Sequence, residues 1–289
     1  MAAIGVLGPG GVGGLLAARF GAAGHDVAVV ASERTAAEIT ARGLRFQAPD
    51  TAINSRPVAR PYLAEPVDVL FVAVKATGLL EALRRVPASV VGDAPVVPLL
   101  NGVDHLALLR ASYPTVIAAS IAVEATRHQP GVIQQVSGAA DLVVAREDLA
   151  ELIREAGLKV TVEPDERVLL WRKLAFLAPF ALLTTGANAA IGEARTLREA
   201  WLRPLVDEAA AASGVDVNTD AVEAALRTMD DTAQSSMLRD FRTGRELELD
   251  AIAGPVVREL GPEGAPTTLE AVRTILDALP VGTEPWTRT

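Results

Sequence analysis

Residues 3–31 read AIGVLGPGGVGGLLAARFGAAGHDVAVVA, and this stretch decides the fold. Ala3–Leu7 is an apolar run of strand length, and Asp26–Ala31 is a second. Between them Gly8-Pro9-Gly10-Gly11-Val12-Gly13 satisfies G-x-G-x-x-G and opens an amphipathic helical pattern over Gly11–Ala23. In such a turn the first glycine permits a tight bend. The second lets backbone amides approach a diphosphate, and the third lets the helix pack on the strand. Gly8, Gly10, Gly11, Val12 and Gly13, with the positive end of the helix dipole, are then the expected cradle of a dinucleotide. A purely structural glycine turn is the alternative; the strand before it and the helix and strand after it favour the cofactor site.

An acidic residue about 20 positions on suits the ribose diol of NAD, whereas an arginine suits the phosphate of NADP. The second strand ends in Ala31-Ser32-Glu33-Arg34. Ser32 and Arg34 suit a phosphate, and Glu33 opposes it unless it points away. NADP(H) is the expected cofactor.

Outward from this unit, short apolar runs alternate with helical patterns up to residue 163. Further expected strands are Val67–Val74, Val96–Leu100, Val116–Val123, Asp141–Ala145 and Lys159–Val162, and Asp148–Ala156 is an expected helix. Valine-rich, nearly continuous apolar strands belong in a parallel sheet covered on both faces. After Glu163-Pro164-Asp165 only helical spacing follows: Val168–Leu177, Leu197–Ala212, Thr219–Thr228, Ser235–Leu260 and Thr267–Leu279. The expected class is α/β: a Rossmann-type doubly wound parallel sheet followed by an all-helical C-terminal domain. Residues 1–163 would bind the dinucleotide and 164–289 would form the helical substrate and catalytic domain. No linker or repeat separates the two, so they are expected to pack directly and to bind ligand in the cleft.

The chain has 289 residues, half of them apolar, enough for about two domains with a sizeable core. A net charge of −9 counts against a nucleic-acid or anionic membrane surface. The absence of cysteine excludes disulfides, thiolate catalysis and cysteine metal sites. His25, His105 and His128 are too scattered to suggest a metal centre, so no metal is expected. No signal-peptide pattern opens the chain. The apolar stretch Leu174–Leu183, interrupted by Pro179, falls short of the roughly 20 residues of a membrane span. A soluble cytoplasmic protein is expected, its partner a small molecule; a homodimer stays open.

Lysine occurs only at 75, 159 and 173, against 24 arginines. Unlike arginine, a lysine can be tuned to release its proton near neutral pH. Lys75 and Asn101-Gly102 each follow an expected parallel strand, the end where such sheets place ligands. A surface lysine and a plain turn explain them equally well. Lys173 has Leu169 and Leu170 one turn before it and Leu177 one turn after, inside the apolar stripe of its helix. It either snorkels to water or is partly desolvated, with its pKa pushed down. In the second case it is a suitable proton donor to a carbonyl oxygen receiving hydride. Glu248 lies at the edge of another stripe, one turn before Ile252, where a boundary salt bridge is the plainer reading.

Together these residues resemble the ketopantoate reductase family, the NADPH-dependent 2-dehydropantoate 2-reductases, over nearly the whole chain. The resemblance is carried by Gly8-x-Gly10-x-x-Gly13, Val74-Lys75-Ala76, Asn101-Gly102-Val103 and Leu170-Trp171-Arg172-Lys173-Leu174. It continues through Ser235-Ser236-Met237-Leu238-x-Asp240, Glu248-Leu249-Asp250-x-Ile252-x-Gly254 and Gly264-Ala265-Pro266-Thr267. It implies that Lys173 is the general acid and that Glu248 anchors the nicotinamide ribose. It further implies that Asn101 bonds within the catalytic centre, Lys75 borders the cofactor and Ser236 binds the substrate carboxylate. The implied reaction is reduction of ketopantoate to pantoate, on the way to pantothenate and coenzyme A.

The chain departs from the family in its substrate contacts. Family asparagines one and two turns after the lysine are Leu177 and Ala181 here, and another, before the serine, is Ala233. The arginine many members carry after the second strand is Ser32. The expected function is an NADPH-dependent reductase of ketopantoate or of a more apolar 2-oxo acid meeting Leu177 and Ala181. The alternatives are an opine- or imine-type dehydrogenase of the same layout, or a dinucleotide-binding sensor without turnover.

Overall fold

The computed structural model describes residues 1–279, with 137–139 by backbone alone; the end of the expected helical domain, 280–289, lies outside the described residues. In chain order the strands are β1 (Ala3–Leu7), β2 (Asp26–Val30), β3 (Leu44–Ala48), β4 (Thr51–Ser55) and β5 (Val58–Arg60). They continue with β6 (Val69–Val72), β7 (Val96–Pro98), β8 (Ala119–Gln129), β9 (Val132–Val144) and β10 (Lys159–Val162). The helices among them are α1 (Gly11–Ala22), α2 (Glu33–Arg42), α3 (Leu79–Leu83), α4 (Ala88–Val91), α5 (His105–Arg110) and α6 (Glu147–Glu155).

Five strands form a parallel sheet in the order β5-β2-β1-β6-β7. Every residue of β6 is buried, as the unbroken apolar run Val69-Leu70-Phe71-Val72 requires of a strand covered on both faces.

The remaining strands depart from the expected single sheet. They form a second, mixed sheet ordered β10-β9-β3-β4, with β8 antiparallel to β9. Pro130-Gly131, with Gly131 at φ 75°, turns β8 directly into β9. The expected strands Val116–Val123 and Asp141–Ala145 are thereby lengthened into a hairpin whose polar outer half, Glu124 to Gln135, carries no apolar run to announce it.

This second sheet also corrects the expectation for α1. The helix has no solvent face of any width: Gly13 through Ala18 and Phe20 are all buried. It packs on β1 and β2 of the first sheet and on β8 and β9 of the second. A helix apolar on every side belongs in an interior, and only small residues let two sheets approach it this closely. A Cβ on Gly14 would stand 2.3 Å from Ile133 Cγ1 in β9.

The later helices are α7 (Glu166–Ala187), α8 (Ile191–Leu197), α9 (Glu199–Ser213), α10 (Thr219–Thr228), α11 (Ser236–Arg242), α12 (Leu249–Gly264) and α13 (Pro266–Asp277). Asp165 caps α7, its Oδ1 accepting from the amides of Arg167 at 2.9 Å and Val168 at 3.1 Å. At 22 residues, α7 is long and apolar enough to cross a membrane by length and composition, which the interrupted apolar stretch alone did not suggest. Two thirds of its most apolar window (67%) is nevertheless buried inside the protein, as in a core helix. Trp171, Leu174 and Leu182 of α7 share one core with Leu202 and Leu205 of α9, Ile252 and Val256 of α12 and Ile275 of α13. Buried Glu208 fastens α9 to the start of α13, accepting from the amides of Thr267 (2.8 Å) and Thr268 (2.7 Å). The continuous helix expected over Ser235–Leu260 is two, α11 and α12, interrupted after Arg242 where Gly244 turns at φ 63°.

The chain divides into two compact units, residues 1–100 with 105–169 and residues 101–104 with 170 onward. The short turn 101–104 thus belongs with the helices, although the expected boundary lay at 163.

Candidate active site

In the first unit the glycine turn has the backbone its sequence calls for. Gly8 sits at φ 88°, its amide donates to Val30 O at 2.9 Å, and its carbonyl accepts from the Gly10 amide at 2.8 Å. A Cβ on Gly13 would lie 2.2 Å from Gly8 O, so the third glycine is needed for helix α1 to close on the turn. A Cβ on Gly11 would lie 2.1 Å from Ala125 O, so this glycine serves the packing of β8 on α1. Gly10 differs: a Cβ there would meet no atom within 4 Å. The space in front of it is open, as a cradle for a diphosphate must be. Val12 is partly buried against the core.

Lys75 is exposed just beyond β6, and its neighbour Val74 is the residue a Cβ on Gly8 would strike, at 2.5 Å. The lysine therefore adjoins the glycine turn. Ser32 is the N-cap of α2; its Oγ accepts from the Thr35 amide at 3.4 Å. Arg34, in the first turn of that helix, is exposed and has no ion pair among the described residues. Glu33 is exposed beside it.

In the second unit three residues converge that lie far apart in the chain. Lys173 Nζ donates to Asn101 Oδ1 at 3.1 Å, and Asn101 Nδ2 donates to Glu248 Oε2 at 3.0 Å. The ammonium can only donate and the carboxylate can only accept, so the chemistry fixes which way the asparagine amide faces. Glu248 is buried immediately before α12, where its carbonyl accepts from the Ile252 amide at 3.0 Å. Lys173 is partly buried on α7. Burial pushes its ammonium down to about 8, against the opposite pull of the Glu248 carboxylate. It stays charged at neutral pH and releases a proton far more readily than an exposed lysine. This suits a general acid.

Gly102 explains how Asn101 reaches this place. It lies at φ 83°, and a Cβ on it would stand 2.3 Å from Ala251 O. The 101–104 turn rests on the backbone of the first turn of α12, immediately after Glu248. Sequence reading did not single out a second fastening. Arg258 of α12 donates from Nη1 to Asp250 Oδ1 at 2.8 Å and from Nη2 to Asp104. The spacing Asp250–Gly254–Arg258, one helical turn per step, was the available signal.

The residues expected to meet a substrate are placed less uniformly. Ser236 is the first helical residue of α11, partly exposed, and its hydroxyl has no partner among the described residues. Its neighbour Ser235 caps that helix, accepting from the Leu238 amide at 3.0 Å and sharing a hydrogen bond with Thr184 Oγ1 at 2.8 Å. Leu177 and Ala233 are partly buried at the edge of the helical core. Ala181 corrects the expectation: it is wholly buried in that core and presents no surface to a substrate. Among the described residues no cluster of three or more metal-ligating side chains occurs.

Comparison with known proteins identifies the family. The pattern of the ketopantoate reductase PanE/ApbA family matches residues 4–146, and that of the family's C-terminal domain matches residues 166–276. The 2-dehydropantoate 2-reductase of Caulobacter vibrioides is 31% identical over 288 residues, covering 94% of this chain and 97% of that protein. The enzyme of that name from Mycobacterium tuberculosis is 32% identical over 286 residues, covering 93% and 94%. A D-mandelate dehydrogenase solved with NADH and anilino(oxo)acetate shares the fold, with a TM-score of 0.86 at 18% identity over 95% of this chain and 97% of that one. The chain belongs to the ketopantoate reductase PanE/ApbA family of oxidoreductases.

Proposed function

We propose that the protein is an NADPH-dependent reductase of a 2-oxo acid, either ketopantoate or a relative with a more apolar substituent. The observation that carries this reading is the hydrogen-bonded series Lys173–Asn101–Glu248. The open space before Gly10, between the bend at Gly8 and the packed Gly13, fits a dinucleotide diphosphate. Arg34, exposed and without an ion pair among the described residues, is the residue that would favour the 2′-phosphate of NADPH, with Lys75 bordering the cofactor. Bound there, the reduced dinucleotide supplies a hydride for the carbonyl carbon.

Lys173 Nζ gives its proton to the carbonyl oxygen as the C=O π bond breaks, leaving a neutral amine and a 2-hydroxy acid. Asn101 Oδ1 holds Nζ in place for that transfer, and the Glu248 carboxylate keeps the asparagine oriented and favours reprotonation of the amine. The Ser236 hydroxyl is available to a substrate carboxylate. Leu177 replaces a polar contact with an apolar one, which favours an apolar substituent over the hydroxylated one of ketopantoate.

Initial rates with NADPH and NADH against ketopantoate, 2-oxoisovalerate and phenylpyruvate test the proposal. Oxidation of NADPH with a 2-oxo acid supports it, fastest with an apolar one. Turnover that requires an added amine, or tight NADPH binding with no turnover on any substrate, overturns it.

A further inference from the structure

Asp250 and Gly254 belong to the segment Glu248-Leu249-Asp250-x-Ile252-x-Gly254 but have no part in the chemistry above. With Arg258 they lie on one face of α12 at successive steps of one turn. A Cβ on Gly254 would stand 2.5 Å from Asp250 Oδ1 and 2.6 Å from Arg258 Nη1. A side chain at that position would push the guanidinium and the Asp250 carboxylate off the line along the helix in which Arg258 now reaches Asp250 and Asp104 together. Asp104 ends the turn that begins with Asn101. That turn is therefore held to α12 at two points, by the backbone contact of Gly102 with Ala251 and by the ion pair of Asp104 with Arg258.

Resting on the reductase reading, we propose that Arg258 is a positioning residue. By tying Asp104 to Asp250 it holds the 101–104 turn on α12, so that Asn101 stays bonded to both Lys173 and Glu248. Gly254 leaves the room in which the tie lies. The side chains of Arg258, Asp104 and Asp250 are 49%, 53% and 38% exposed, so their pairing adds little to global stability, and breaking it acts on the turn rather than on the fold.

Two variants and two readouts test this. Arg258→Met removes the tie, and Gly254→Ala displaces it while keeping every charge and a favourable helix residue. Both should lower kcat about three- to fivefold, as much as an exposed ion pair supplies, with KM for NADPH and the melting temperature nearly unchanged. In an Asn101→Ala background Arg258→Met should change kcat by less than about twofold, because its effect passes through Asn101. The second readout needs no substrate. With three lysines in the chain, NMR titration of the lysine Cε and Nζ signals follows Lys173 directly. Its midpoint should move down in Arg258→Met, as the ammonium loses the Asn101 acceptor. A wild-type kcat with an unmoved midpoint overturns the proposal, as does an equal loss of kcat with and without Asn101. If the wild-type protein reduces no 2-oxo acid, the reductase reading fails and the titration alone decides: a lowered midpoint sustains the tie, an unmoved one overturns it.

Discussion

Gly10 and Gly102 both sit in turns beside candidate chemistry, and they use the missing side chain in opposite ways. A Cβ at Gly10 would meet nothing within 4 Å, whereas one at Gly102 would press 2.3 Å from Ala251 O. The first turn leaves open the space in which the proposed dinucleotide diphosphate would lie. The second is shaped by the protein's own backbone, and its task is to deliver Asn101 to Lys173 and Glu248. A ligand cradle can be built from thirty consecutive residues. The proposed catalytic centre needs partners separated by 72 and 147 positions.

That contrast can be broken most severely at its chemical end. Lys173→Met should lower kcat on the order of a thousandfold while leaving NADPH affinity, read by fluorescence quenching, close to wild type. Retained turnover would remove Lys173 from its role. The same residue sets the pH dependence. A general acid must be protonated, so reduction should run at full rate well below pH 8. Since burial brings the Lys173 pKa down to about 8 in the free protein, kcat/KM should fall about tenfold per pH unit above that value. A profile flat to pH 10 would mean that another group donates the proton.

The glycines come next, and here the comparison predicts a split. Gly102→Ala introduces both a positive-φ strain and a backbone collision, so it should lower the melting temperature and cost about a hundredfold in kcat/KM. Gly10→Ala places its methyl in open space. Thermal stability should hold while NADPH affinity weakens about tenfold, as the methyl enters the volume a diphosphate would fill. Equal behaviour of the two variants in both assays would erase the distinction drawn between the turns. The smallest effect belongs to substrate choice. Leu177→Asn should raise the ratio of kcat/KM for ketopantoate over phenylpyruvate several-fold, since one restored hydrogen bond is worth about 1 kcal/mol. An unchanged ratio would mean that this position does not meet the substrate.

Much of the first unit is legible in the chain because its signals are local. The apolar runs of β1, β2 and β6 match strands buried on both faces, and the glycine spacing specifies a bend and a helix start within six residues. The helices after Asp165 are legible for the same reason, since spacing along a helix determines which side chains share a face. The second sheet is not. The alternating, half-buried strand Thr51–Ser55 is stabilised by pairing with β3, and the polar half of the hairpin by pairing of β8 with β9 and of β9 with β3, which no local pattern encodes. Nor does local pattern show that this sheet covers α1, turning a helix read as amphipathic into one buried all round.

For the candidate site, sequence alone determined the residue types and the stripes they occupy: Lys173 within an apolar face, Glu248 at the edge of one, and Gly8, Gly10 and Gly13 at the head of a helix. Tertiary structure alone decided which of them meet. It brought Asn101 between Lys173 and Glu248, buried Ala181 out of reach, and set Arg258 across Asp250 and Asp104. The reason is physical. Backbone conformation and helical faces follow from neighbours within a turn or two, whereas a hydrogen bond across 147 residues exists only once the core of α7, α9, α12 and α13 has packed around it.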